Sequence, residues 1–376
     1  MKEKQPSKNR FSAFLEKKNI VISLKRYGID AMSAMAQGLF CTLLIGTILN
    51  TLGSQLHIGF LENPIITVKE TAYTIGGIAS AMVGPAMAVA IGNALKAPGM
   101  VLFTLVPVGY AANLMGGAGG PLAVLIIAIA ASEFGKLVSQ ETKIDILVTP
   151  LVTLLVGTGL SYLIASPIGK AASWLGRLIM WATELQPFFM GILVSVLVGI
   201  ALTLPISSAA ICAALSLTGL AGGAAVAGCC CQMIGFAVMS FRENRFGGLV
   251  SQGIGTSMLQ MGNIIKNPKI WIPPILSSAI CGPIATCLFR LQMNGAAINS
   301  GMGTCGFCGP IGVLTGWANP SEAALANGAA ALTPGVMDYL GLVLICFVLP
   351  AILTQIFCLV LRNLGWIREN DLKLTD

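Results

Sequence analysis

The sequence predicts an all-α polytopic membrane protein with about ten membrane-embedded segments, two of them re-entrant hairpins. Three observations predict it. Of the 376 residues, 55% are hydrophobic and 10% charged, with a mean hydropathy of +0.84. Several apolar runs reach the roughly 20 residues that cross a bilayer. Two stretches, residues 241–274 (FRENRFGGLVSQGIGTSMLQMGNIIKNPKIWIPP) and 294–310 (NGAAINSGMGTCGFCGP), break the apolar pattern with glycine and polar residues without becoming soluble domains. At membrane depth such irregular backbone is tolerated only where protein or a water cavity surrounds it, which makes these two stretches the expected walls of a substrate site.

The net charge of +7 is local. Lys2, Lys4, Lys8, Arg10, Lys17, Lys18, Lys25 and Arg26 face only Glu3 and Glu16 at the start of the chain. Next to a first span, this reads as a basic amphipathic cytoplasmic arm (1–27) meeting an anionic leaflet, ahead of a transmembrane domain (28–362) and a short polar tail (363–376). Nucleic acid is not an expected partner, because no basic, aromatic-interleaved soluble fold follows. The first apolar run is too long for a signal peptide and lacks a small-residue cleavage pattern, so the amino terminus is expected inside and the chain uncleaved.

The first span covers residues 30–52, followed by an external loop carrying the one histidine, His57, read as solvated. Residues 72–95 form a span broken at Gly84-Pro85. Two runs, 100–114 and 121–131, flank GGAGG (116–120), which suits a tight reversal and, without a neighbouring P-loop lysine, not a phosphate cradle. Residues 132–145 carry balanced charge and read as a solvated connection in which Glu133 alone lies deep enough to matter. A long span (146–168) leads to an amphipathic stretch (169–186), whose Trp174 and Trp181 fit headgroup depth.

Another span, 187–204, ends in TLPISSAA, where Pro205, Ser207 and Ser208 interrupt a helix. Residues 211–240 are rich in Gly, Ala and Cys, as tight helix packing requires. Spans at 272–289 and 336–361 complete the set. Most of the eleven cysteines sit in apolar runs as small hydrophobes. Cys305-Gly-Phe-Cys308 has no second pair or histidine nearby, so packing is preferred there to metal or redox use.

The order of landmarks resembles the enzyme IIC membrane subunit of the bacterial sugar phosphotransferase system, its fructose type in particular. GPAMAVAIGNALKAPG (84–99) is similar to that family's early span and Pro-Gly turn. GGAGGPLAVLIIAIAASEFGKL with ILVTPLVTLLVGTGLSYLIASPIGKA is similar to its glycine loop, short helix, polar connection and long span. Residues 241–284 resemble the segment holding the family's Ile-Thr-Glu-Gly signature. Within the family the chain looks most like a stand-alone branch that includes membrane proteins named as toxin regulators. The resemblance implies a IIC-like transporter fold, a homodimer and a site moved across the bilayer between two re-entrant hairpins.

Two departures bear on function. Counting back from Asn267-Pro268, the signature's acidic residue falls at or near Met258, and no Asp or Glu stands between Glu243 and Glu322. Where the family commonly has Pro-His-Gly-Gly, this chain reads Gly303-Thr304-Cys305-Gly306. Phosphorylating a sugar hydroxyl requires a group to take its proton, and none is present, so no catalytic residue, metal or cofactor is assigned.

The leading expectation is a bacterial plasma-membrane transporter that binds a small polar solute, a sugar or a relative, and moves it by alternating access without phosphorylating it. Its site residues are Gln260, Asn263 and Asn267 from the first interruption, Ser207 and Ser208 from the broken span, and Asn299, Ser300 and Thr304 from the second interruption. Amides and hydroxyls both donate and accept hydrogen bonds, as such a solute needs. Glu133 and Lys266 are possible charged contributors. Two alternatives are a membrane sensor that keeps the transporter fold, and a true phosphotransferase permease working with separate IIA and IIB proteins.

Overall fold

In the computed structural model the described residues are 10–56, 58–68 and 71–374, so His57 lies outside them. By length and apolarity six helical runs among these residues qualify as membrane spans, or seven when the bent pair Ile75–Ala81 and Val83–Ala94 counts as one. That pair bends by 52° at Met82, just ahead of the Gly84-Pro85 break read from the sequence. The physical cause is Pro85, which lacks an N–H and whose ring collides with the carbonyl four residues back. The chain is thus a multi-pass, predominantly helical membrane protein.

The run Gly99–Val138 is itself a reversal, because Gly99–Gly116 and Gly120–Val138 pack side by side. Gly117 makes the turn at φ +51°, ψ −121°, a conformation closed to residues with a Cβ. With Lys25–Asn50 and Val83–Ala94, these helices enclose one apolar core around Met35, Met87, Ile91, Leu105 and Ile127. The polar connection at 132–145 is not simply solvated, since Ser132 and Lys136 are buried inside the helix. Lys136 pairs with Glu133 at 2.7 Å and donates to the carbonyls of Asn19 and Leu95. Arg26 donates to the same Leu95 carbonyl and to Asn19 Oδ1. The end of the basic arm is therefore stitched to the helix ends, which satisfies buried charges that would otherwise be costly.

Asp145–Thr183 is one helical run that continues through a π turn at Ser161–Ala165. Its second half buries Ala172, Gly176, Ile179 and Ala182 while Trp174 and Trp181 stay exposed.

The second half of the molecule is built on Gly219–Met239, a central helix nearly enclosed by Pro187–Thr203, Pro268–Leu288 and Val336–Asn363. Its small residues permit this: a Cβ on Gly228 would lie 1.8 Å from the Ser195 carbonyl oxygen. Cys230, Cys231, Cys281 and Cys346 pack in one of its apolar clusters, and Cys305 and Cys308 in another with Met233 and Met302.

Both predicted interruptions are helix–break–helix segments. The first starts at Phe241, kinks at Arg245 (φ +52°, ψ −150°), continues through a π turn to Gly255, breaks again at extended Thr256 (φ −158°), and resumes at Ser257–Gln260 and Met261–Lys266. The second has a short turn at Ala297–Gly301, a break with positive φ at Gly303, Gly306 and Phe307, and the helix Cys308–Ala318.

Candidate functional site

The two breaks meet. Thr304, wholly buried, donates its hydroxyl to the Gly253 carbonyl at 2.5 Å, joining the second segment to the first. Ser208 donates to the Gly301 carbonyl at 2.7 Å, joining the broken span at residues 205–208 to the second segment. In front of this junction lies a cavity of about 270 Å³. Its far wall comes from the first half of the molecule, through Leu39, Ser80, Val83 and Asn113, and its near wall from residues 206–210, Thr256, Met258, Gly301, Met302 and Cys305.

Among the described residues no carboxylate, histidine, lysine or arginine lines this cavity; Cys305, a thiol, is the nearest approach to an acid. Its polar groups are few, and two are already half-committed. Ser207 accepts from the Ala210 N–H and Thr256 accepts from the Met258 N–H. Each hydroxyl proton stays free to be donated to a ligand, whereas Ser208, having given its proton to Gly301, retains lone pairs. Behind Thr256 a buried polar chain supports the break: Trp271 and Thr203 both donate to Gln232 Oε1, and Thr203 shares a hydrogen bond with Ser257 at 2.8 Å.

The residues expected from the sequence divide sharply. Ser207 and Ser208 line the cavity. Thr304 and Ser300 are buried beside it and spent on main-chain carbonyls, Ser300 on that of Ala297. Asn299 packs against Gly312, away from the cavity. Gln260, Asn263 and Asn267 do not line it either. Their amides donate to the main chain of the C-terminal tail, at Leu372, Lys373 and Trp366 respectively. Glu133 is committed to Lys136, and Lys266 is exposed. Ser80, Asn113 and Thr256 were not anticipated. The first two come from helices whose approach to the breaks is set by tertiary packing, and Thr256 reads locally as an ordinary cap residue.

The protein-family model described as Phosphotransferase system, EIIC, matches residues 29–374. The chain belongs to this family. No curated protein and no solved structure matches it. This EIIC protein is therefore a multi-pass membrane protein of the transporter type. At the cavity it places Met258, 4% exposed, where the resemblance led to an acidic side chain. A thioether neither takes a proton nor carries charge, and among the described residues the polar side chains of this cavity wall are hydroxyls, the Asn113 amide and the Cys305 thiol.

Proposed function

We propose that this EIIC protein carries a small, uncharged solute through the cavity at the meeting of its two breaks, by alternating access and without phosphorylating it. One observation carries the reading: the cavity touches both breaks and the interrupted span, yet among the described residues has no carboxylate, histidine, lysine or arginine in its wall. The solute would present oxygen acceptors to Ser207 and Thr256 and apolar surface to Leu39, Val83 and Met258, as a sugar or a related polyol lying edge-on does. In this reading the two broken segments are re-entrant hairpins, the first half of the molecule is the fixed wall, and the protein works as a dimer of the fructose-like type in a bacterial plasma membrane.

The distribution of charge supports an orientation with the amino terminus inside. Arg242, Arg245, Arg362 and Lys373 line one pocket where the tail docks, and Lys269 stands over the Trp366 ring.

Flux in proteoliposomes tests the proposal. Saturable movement of a neutral solute down its gradient, weakened by Thr256→Val and Ser207→Ala, is the expected result. Phosphorylated solute inside vesicles, formed only when a phospho-IIB protein is supplied, overturns the non-phosphorylating mechanism. Saturable binding with no flux overturns transport in favour of a sensor.

A further inference from the structure

The first broken segment spends its amides on something other than the cavity. Asn244 Nδ2 and Gln260 Nε2 donate to the Leu372 carbonyl at 2.7 and 3.0 Å, and Asn263 Nδ2 donates to that of Lys373 at 2.9 Å. Asn267 Nδ2 donates to that of Trp366 at 2.9 Å, and Asn244 Oδ1 accepts from the Leu374 N–H at 2.9 Å. These bonds are to tail main chain, and Asn267 Nδ2 also donates to the Asp371 carboxylate at 2.8 Å. The amides are also wired to one another: Asn263 donates to Gln260, Gln260 to Gln252, and Gln252 to Ser240. Such an array holds a turn-rich peptide chiefly by its main chain.

The tail itself is lightly anchored. Between Gly365 and Leu374 only Ile367 and Leu372 are buried, and Arg368, Glu369 and Lys373 are exposed. It leaves the last helix through a positive-φ turn at Gly365 and folds again at Asn370. Amide–carbonyl bonds exchange readily with water, because most of their gain is returned by solvation of the separated groups. A segment held this way is suited to leaving and returning.

Where the tail sits gives the departure a consequence. A second cavity, of about 440 Å³, lies between the first helix and the first broken segment, and Lys373 and Leu374 form part of its wall. Phe40 and Leu259 line this vestibule, while their chain neighbours Leu39 and Met258 line the inner cavity. The two cavities therefore share wall at residues 39–40 and 258–259. Cys41, one of two exposed cysteines among the described residues, forms part of the vestibule's wall.

We propose that residues 365–374 are a latch: the amide array of the first broken segment is a peptide receptor occupied by the chain's own tail, and release of the tail opens the vestibule that leads to the solute cavity. The inference rests on the transport reading for what the vestibule leads to, but not for the latch itself. Opening exposes the vestibule to the tail side of the membrane, and a peptide from another protein would compete for the same amides.

The test follows Cys41 in full-length protein reconstituted in vesicles, with Cys287→Ser removing the other exposed thiol. A water-soluble maleimide applied from the tail side is expected to label Cys41 slowly. Deleting residues 365–376, or combining Gln260→Leu with Asn263→Leu, is expected to raise the rate about tenfold, the change that loss of one or two hydrogen bonds produces. A synthetic peptide of residues 365–376 added to the deletion protein is expected to restore slow labelling. Unchanged rates in both a folded deletion and the double leucine variant overturn the latch. So does a deletion protein that fails to fold while the double leucine variant labels at the original rate. Faster labelling without any solute flux leaves the latch standing and overturns the transport reading instead.

Discussion

The two broken segments look alike in sequence and are held in opposite ways. The second turns its hydroxyls inward: Thr304 is bonded to Gly253, Ser300 to its own turn, and its break is shaped by left-handed backbone against the central helix. The first turns its amides outward, onto a tail that is itself mostly exposed. The difference separates a segment locked by covalent geometry and packing from one held by replaceable hydrogen bonds. On the latch proposal the tail leaves while the bond from Thr304 to Gly253, which ties the two segments together, stays in place.

The largest expected effect breaks the locked side. Gly303 has φ +51°, and a Cβ there would sit 2.6 Å from the Cβ of Cys229. Gly303→Ala combines backbone strain with overpacking and is expected to destabilise the protein by about 3 kcal/mol or more, read as a fall in melting temperature in detergent. Thr304→Val keeps the shape but leaves the Gly253 carbonyl unpaired in a buried site, at a cost of about 1–3 kcal/mol. A melting temperature equal to wild type in Thr304→Val would show that the junction of the breaks is not held as described.

The comparison is sharpened by solute affinity rather than stability. Thr256→Val removes a donor from the cavity wall and is expected to weaken solute binding about tenfold, while Asn263→Leu, whose amide serves the tail, leaves the affinity of the closed cavity within about twofold. Equilibrium binding to both variants decides the matter. If Asn263→Leu weakens binding as much as Thr256→Val, the first segment's amides serve the solute and not the tail.

The sequence was informative about breaks and uninformative about what lies opposite them. Gly84-Pro85, the 116–120 glycines and TLPISSAA mark their bends because proline and glycine act locally, through φ and a missing N–H. Ser207 and Ser208 were found for the same reason, since a break inside an apolar run exposes its own cap residues. Gln260, Asn263 and Asn267 read from the sequence as solute ligands, because nothing local says that their amides have partners more than a hundred residues away. One available signal was the apolar residues of the short charged tail, among them Ile367 and Leu372, which the structure buries. Glu133 and Lys136 were readable as an i, i+3 pair, which would have placed them together before any fold was considered.

The smallest effect concerns the arm, where the first half of the molecule has its own replaceable contact. Lys18 pairs with Glu141 at 2.5 Å and also donates to the Ser139 carbonyl. The hydrogen bond from Lys18 holds the Glu141 carboxyl below the usual carboxylate range. A carboxylate whose pKa is lowered by folding stabilises the folded state above its unfolded pKa, and loses that contribution as pH falls through the folded value. The arm should therefore loosen only below about pH 4, since an unperturbed Glu titrates near 4.3. Because Glu141 is open to solvent, salt should weaken the contact at any pH. Proteolysis at Lys17 and Lys18 reports it: in low salt near neutral pH, Glu141→Gln is expected to be cut faster than wild type, and the difference should shrink on acidification or in high salt. Equal cutting of the two proteins at neutral pH and low salt would mean that the arm is held by Arg26, Asn19 and Lys136 alone, and that only the buried stitching matters.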